Sequence, residues 1–198
     1  MLKIAALVSG NGTNLQSIID AINKGILNAE ICCICSSNSK AYAIERAKDN
    51  LIPYKVFSIK KYSDNIKRDI AMAEYIQKNN ANLIVCCGSL MTLGSEFINK
   101  FKKRIINIHP SLLPSFGGKG FFGLNVHKAV LDAGAKITGA TTHFVENEID
   151  KGRIIMQNSM PVLENDTPES LQKRLLENIE WELLIKTLKL FEIKKEIK

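Results

Sequence analysis

Lys3-Ile4-Ala5-Ala6-Leu7-Val8-Ser9-Gly10-Asn11-Gly12-Thr13-Asn14-Leu15 sets the architecture of this chain. Its first part is a short apolar run that stops at a glycine, the pattern of a parallel strand buried on both faces. Gly10-Asn11-Gly12-Thr13-Asn14 follows as a tight turn. Leu15, Ile18, Ile19 and Ile22 then recur at helical spacing. Strand, glycine-rich turn and helix form the opening unit of an α/β protein.

Working outward, the same alternation repeats. Glu30–Cys35 predicts a second strand, Ala41–Asp49 a helix and Tyr54–Phe57 a short third strand. Asn65–Lys78 predicts an amphipathic helix with Ile66, Ile70, Ala73 and Ile76 inward. Asn82–Cys87 is a fourth strand, Glu96–Phe101 a short helix and Arg104–Ile108 a fifth strand. The expected fold is α/β: a single domain over residues 1–198, with a doubly wound, mainly parallel sheet and helices on both faces. Ligands on such sheets bind at the carboxyl ends of strands. Gly10–Asn14, Gly88–Leu93 and Asn107–His109 all fall at such ends and are expected to share one cleft.

The second half changes character. Leu113–Gly123 is rich in glycine and phenylalanine, carries Lys119, and reads as a mobile, glycine-hinged lid. Val126–Leu131 predicts a short helix with His127 near its end, lining that loop. Ile137–Val145 and Arg153–Val162 read as strands joined by a short link, hence an antiparallel C-terminal extension. Thr167 is a natural N-cap, Pro168 suits a first turn, and Ser170 stands where a capping-box glutamate would. The helix they open is expected to run to about Phe191.

Composition narrows the class. The chain has 198 residues, 45% hydrophobic and 24% charged, enough for a full core and ordinary for a globular protein. No apolar run approaches the roughly 20 residues of a membrane span, and no signal-peptide pattern precedes the first strand. A cytoplasmic protein is expected, with no membrane partner. The net charge is +7, but the lysines are scattered, with a concentration at Lys186, Lys189, Lys194, Lys195 and Lys198. No basic stripe is interleaved with aromatics, so no nucleic-acid partner is expected. A modest positive field suits small anionic ligands.

Cys32 and Cys35 have the C-x-x-C spacing of a metal or redox site. Alternation along a strand sends them to opposite faces, so they and Cys33, Cys86 and Cys87 read as buried free thiols. The three histidines show no metal-ligand spacing, and no metal is expected.

Two segments carry chemistry. Asn107-Ile108-His109 ends the fifth strand, and Pro110-Ser111-Leu112-Leu113-Pro114 turns the chain away. Residues i and i+2 share a strand face, which sets a carboxamide beside an imidazole. Asn107 can donate to a carbonyl oxygen that becomes an oxyanion; loss of such a donor typically costs about 2.7–4 kcal/mol. His109 can carry a proton near neutral pH. The Gly10–Asn14 loop suits a small phosphate monoester at a helix N-terminus. It lacks the Gly-Lys-Ser/Thr of a P-loop and the third glycine of a dinucleotide site. His143 reads as a hydrogen-bonded residue behind the site.

Three motifs occur in fixed order: SGNGTNLQ at Ser9–Gln16, NIHPSLLP at Asn107–Pro114 and THFVENEIDKGRII at Thr142–Ile155. Together they resemble the phosphoribosylglycinamide formyltransferase family, folate-dependent enzymes of purine synthesis. The resemblance implies a Rossmann-like fold and transfer of formyl from 10-formyltetrahydrofolate to the amino group of glycinamide ribonucleotide. It implies Asn107, His109 and Asp150 as catalytic residues, in direct attack without an acyl-enzyme. It assigns Gly12, Thr13 and Asn14 to the ribonucleotide's phosphate and ribose. Leu90, Met91, Thr92 and Leu93 would wall the folate pocket, with Asn107 also touching the folate. The family pattern there is an aromatic followed by Met-Arg-Ile-Leu; this chain has Ser89 and no arginine. Family members also carry Glu-His about five residues after an arginine in the last helix. Here Arg174 is followed by Ile179-Glu180-Trp181, and Glu180 reaches the substrate's amino end only with a shift of one residue.

Other folate formyl enzymes are expected to add a further domain at one end. A non-catalytic phosphosugar-binding module would not bring Asn107, His109 and Asp150 together. A monomer or homodimer is expected.

Overall fold

The computed structural model describes residues 1–193. The lysines at 194, 195 and 198 lie outside the described residues. The strands are β1 (Leu2–Val8), β2 (Ala29–Ser36), β3 (Tyr54–Val56), β4 (Leu83–Cys86), β5 (Ile105–His109), β6 (Ile137–Phe144) and β7 (Ile154–Pro161). The helices are α1 (Thr13–Asn23), α2 (Ala43–Asp49), α3 (Ile59–Tyr62), α4 (Asn65–Lys78), α5 (Ser95–Lys100), α6 (Leu124–Asp132), α7 (Pro168–Leu175) and α8 (Trp181–Ile193). The strands form one sheet in the order β3-β2-β1-β4-β5-β6-β7. β1 pairs in parallel with β2 and β4, and β2 with β3, while β6 and β7 are antiparallel. The mainly parallel sheet with an antiparallel C-terminal end agrees with the expected fold. The chain forms two compact units, one of Met1–Ile106 with the residues from Leu188 onward, the other of Asn107–Thr187.

In the first unit the apolar run at the N-terminus is the central strand. Ile4, Ala5, Ala6, Leu7 and Val8 are each 0% exposed. Full burial of an Ile, Leu or Val side chain contributes about 1.5–3 kcal/mol. β2 bulges: its register against β1 jumps from Ile31 to Cys33 opposite Ile4 and Ala5. All five cysteines are free and buried.

One expectation about α4 is corrected. Ile66 and Ile70 face outward, 65% and 51% exposed. The inner face is Arg68, Asp69, Met72, Ala73 and Ile76. The apolar stripe of this helix is too weak to set its rotation, and a charged pair takes the inward positions.

In the second unit, β6 carries seven buried residues in succession, Thr138 to Phe144. Gly152 lies so close to the end of β6 that a Cβ there would sit 1.8 Å from the Phe144 carbonyl oxygen. Only glycine permits the Phe144 N–H to reach the Arg153 carbonyl at 2.9 Å across that turn. The capping box forms as expected: the Thr167 hydroxyl accepts from the Ser170 N–H, and the Ser170 hydroxyl from the Thr167 N–H. The helix it opens is not continuous. Leu176–Glu180 is a π-helical segment between α7 and α8. Leu171, Leu175, Ile179, Leu183 and Thr187 are all buried at a strict four-residue repeat. A regular α-helix turns such a ladder by about 40° at each step. The wider π turn takes up the drift and keeps the ladder inward.

Candidate functional site

β5 delivers Asn107 and His109 two positions apart, and the turn after it is tied down by side chains of β6 and β7. The Thr141 hydroxyl donates to the Ser111 carbonyl at 2.7 Å and accepts from the Leu113 N–H at 3.0 Å. Gln157 donates to the Thr141 hydroxyl and to the Leu113 carbonyl, both at 2.9 Å. The proline-rich turn thus leaves the strand in one direction.

His109 is buried. Its Nε2 donates to the Phe116 carbonyl at 2.9 Å. A carbonyl only accepts, which assigns the proton at that nitrogen. Nδ1 is turned to Asp150, 3.5 Å from Oδ2. Asp150 sits in a turn at φ 56°. Its Oδ2 also accepts from the Gly118 N–H at 2.9 Å. A Cβ on Gly117 would lie 2.3 Å from Leu113 Cδ2 and 3.3 Å from Asp150 Cβ, so glycine is what lets the loop close onto this carboxylate. The loop expected to be a mobile lid is therefore anchored at its start by His109, Asp150 and the Ser111 hydroxyl, which donates to the Ser115 carbonyl at 2.6 Å.

His143 completes the group. Its Nδ1 donates to the Phe144 carbonyl at 2.8 Å. Burial lowers its pKa, against the opposing pull of the Phe144 carbonyl and Asp150. The neutral ring therefore presents an unprotonated Nε2, which accepts from the Asn107 amide nitrogen at 3.2 Å. That bond decides which way the Asn107 carboxamide faces and leaves its second N–H to donate elsewhere. Asp150 Oδ1 lies 3.6 Å from the same ring nitrogen. Asn107, His109, His143 and Asp150 are one cluster. Sequence reasoning placed His143 behind the site without seeing this role. The alternation Thr141-Thr142-His143, which sets Thr141 and His143 on one strand face, was the available signal.

His127 needs correction. It lies within α6 rather than at its end, is 0% exposed, and neither ring nitrogen has a hydrogen-bond partner. Burial, and then the charge of His109, pull its pKa down to about 4.

In the first unit, Gly12 caps α1 at φ 67°, and no side chain caps the first turn. The positive end of the α1 dipole therefore faces this turn, where it favours an anion. A Cβ on Gly12 would meet Ala43 Cβ at 2.7 Å, so the turn packs directly on α2. Arg46 of α2 donates from Nε to the Asn11 carbonyl at 2.9 Å and from Nη1 to Gln16 at 2.7 Å. This cation beside the loop was not singled out in the sequence. Thr13 is half-buried and Asn14 buried. Leu90 and Thr92 are exposed, and Met91 and Leu93 half-buried, in a segment that is neither helix nor strand. In the second unit, Glu180 is buried at the end of the π segment.

Burial makes Cys32, Cys35 and Cys87 poor nucleophiles. Burial pushes the Cys32 pKa up to about 12 and raises those of Cys35 and Cys87. Among the described residues no group of three His, Cys, Asp or Glu side chains is placed to hold a metal, and no helix is long and apolar enough to cross a membrane.

Comparison with known proteins adds the following. The profile of the family described as Formyl transferase matches residues 2–188. The chain is 41% identical over 177 residues to a phosphoribosylglycinamide formyltransferase of Haemophilus influenzae, covering 89% of this chain and 81% of that protein. It is 40% identical to the chloroplastic phosphoribosylglycinamide formyltransferase of Arabidopsis thaliana, covering 88% of this chain and 60% of that protein. The crystal structure of glycinamide ribonucleotide transformylase 1 from Symbiobacterium toebii matches with a TM-score of 0.90 at 34% identity, over 96% of this chain and 87% of that one.

Proposed function

The chain belongs to the formyl transferase family, and on that premise we propose that it transfers the formyl group of 10-formyltetrahydrofolate to the amino group of glycinamide ribonucleotide, a step of purine synthesis. The observation that carries the mechanism is the Asn107–His143–Asp150–His109 cluster. The amine attacks the formyl carbon directly and a tetrahedral oxyanion forms. The Asn107 N–H left free by the bond to His143 donates to that oxyanion. The ammonium formed by attack must lose a proton, and the folate nitrogen that leaves must gain one. His109 carries the proton, and Asp150, facing Nδ1, steadies the charged ring and fixes its orientation. No covalent intermediate on the enzyme is needed, in keeping with Cys32, Cys35 and Cys87 held protonated by burial.

The phosphate of the ribonucleotide is assigned to the N–H groups of Gly12, Thr13 and Asn14, with Arg46 supplying positive charge nearby. Leu90, Met91, Thr92 and Leu93, together with Asn107, are assigned to the folate, and Glu180 to the amino end of the ribonucleotide. The reading treats 10-formyltetrahydrofolate as co-substrate, requires no metal, and describes a cytoplasmic monomer or homodimer without membrane or nucleic-acid partner.

The test is a kinetic cycle on His109→Ala, Asp150→Asn and the double variant. Each single change is expected to lower kcat by about a hundredfold or more with KM nearly constant, because both groups act in the transition state. The double variant is expected to be little worse than the poorer single one. Logarithmic losses that simply add would separate Asp150 from His109 and end the paired description.

A further inference from the structure

We propose that the buried Arg68–Asp69 pair is a positioning device that holds the Gly88–Gly94 segment in the shape that receives the folate. The inference rests on the reading of Leu90–Leu93 as the folate wall.

Arg68 and Asp69 occupy the inner face of α4 and are 3% and 5% exposed. Burying two charges is costly, and an apolar pair of similar volume would hold the helix in place at least as well. Their hydrogen bonds show what the charges do instead. Arg68 donates to Asp69 Oδ1 from Nε at 2.9 Å and from an Nη at 2.6 Å. The same Nη donates to the Thr92 carbonyl at 2.5 Å. Asp69 Oδ2 accepts from the Gly94 N–H at 2.7 Å. Each member of the pair therefore holds the other and one main-chain group of the segment.

The segment has no helix or strand to shape it between β4 and α5. Its other anchor is Ser9 at the end of β1 region: the Leu90 N–H donates to the Ser9 hydroxyl at 2.7 Å, and Ser9 in turn bonds the Ser37 hydroxyl at 2.7 Å. The main chain is thus fixed at residues 90, 92 and 94 by side chains from outside the segment. A wall of irregular backbone needs its main chain set from behind, and the charged pair on α4 is placed to do so. Charge-assisted bonds to main-chain groups are stronger than neutral ones, which suits a segment of irregular backbone. Met91 brings no charge of its own to the segment.

The experiment compares Asp69→Asn with the double apolar variant Arg68→Met plus Asp69→Leu, in the full chain. The double variant removes both charges together, so neither is left buried alone, and is expected to remain folded. For both variants KM for 10-formyltetrahydrofolate is expected to rise about tenfold, with KM for the ribonucleotide within about twofold of wild type. Amide hydrogen exchange of residues 88–94 is expected to quicken selectively. Folded variants with an unchanged folate KM, or an equal rise for both substrates, would overturn the proposal. Loss of folding in both variants would show that the pair serves the core and would overturn it as well. Met91→Ala and Leu93→Ala provide the separate control. If they leave folate KM unchanged, the folate-wall reading falls and the inference with it. If they raise it while the pair variants do not, the positioning inference alone falls.

Discussion

A single ring nitrogen sets the orientation of the candidate oxyanion donor. His143 is held neutral by burial, its Nδ1 is committed to the Phe144 carbonyl, and only its Nε2 is left to receive the Asn107 amide at 3.2 Å. Deleting an oxyanion donor outright typically costs about 10²–10³ in kcat. His143→Ala keeps the donor but frees its amide to rotate, so a smaller fall in kcat is expected, about tenfold to a hundredfold, with substrate KM little changed. Steady-state kinetics on both substrates checks this; a rise in KM alone would place His143 in binding rather than in orientation. His127 predicts a different behaviour. Its pKa is about 4 in the fold and about 6.5 in an unfolded chain. Between those values the unfolded state binds more protons, so stability falls as pH drops through the window. The full loss is about 3 kcal/mol at an upper bound, at 1.36 kcal/mol per unit. His127→Leu is expected to flatten the plot of unfolding free energy against pH over that range, leaving the residual slope of His143, whose pKa is also lowered. An unchanged slope would mean that His127 is hydrated in solution.

At the scale of elements, the last helix shows a local irregularity with a packing cause. The buried ladder Leu171, Leu175, Ile179, Leu183 and Thr187 stays on one side because Leu176–Glu180 opens into a π turn. Deleting Asn178, an exposed residue of that segment, shortens the step from Leu175 to Ile179 to the three residues that a regular α-helix can hold on the same face, so both flanks keep their phase. Helix content by circular dichroism is expected to be kept, and stability by chemical denaturation to stay within about 1 kcal/mol of wild type. A loss of several kcal/mol would show that the packing of the flanks depends on the wider turn itself. α4 makes the complementary point. Its sequence pattern favours Ile66 and Ile70 as the inner face, yet both are exposed and Arg68 and Asp69 are inside. Main-chain groups of the Gly88–Gly94 segment offer that face bonds worth more to charged side chains than to apolar ones.

For the whole molecule, ligand binding and folding are linked. A ligand at a hundred times its Kd is expected to add about 2.7 kcal/mol to the unfolding free energy. Glycinamide ribonucleotide is expected to raise the melting temperature of the wild type, and Thr13→Val is expected to shrink that rise while leaving the rise with folate intact. An equal reduction for both ligands would remove the phosphate from the Gly12–Asn14 loop. Apart from the short α3 and the π break in the last helix, the order of strands and helices was legible in the sequence, as were the parallel character of the sheet, the paired C-terminal strands and the capping box at Thr167. So was the placement of Asn107 and His109 on one strand. These features depend on neighbours within a few residues, where strand and helix periods and turn chemistry act directly. Tertiary structure alone decided the inward face of α4, the complete burial of His127 and the approach of His143, 36 residues away, to Asn107. The motif resemblance had already grouped Asp150 with His109, but the atoms that meet, and the closure of the Gly117–Gly118 backbone onto Asp150, came only from tertiary structure. Each of those depends on a hydrogen bond or close packing between distant segments, and the donors, acceptors and free volume that settle such contacts exist only once the chain has folded.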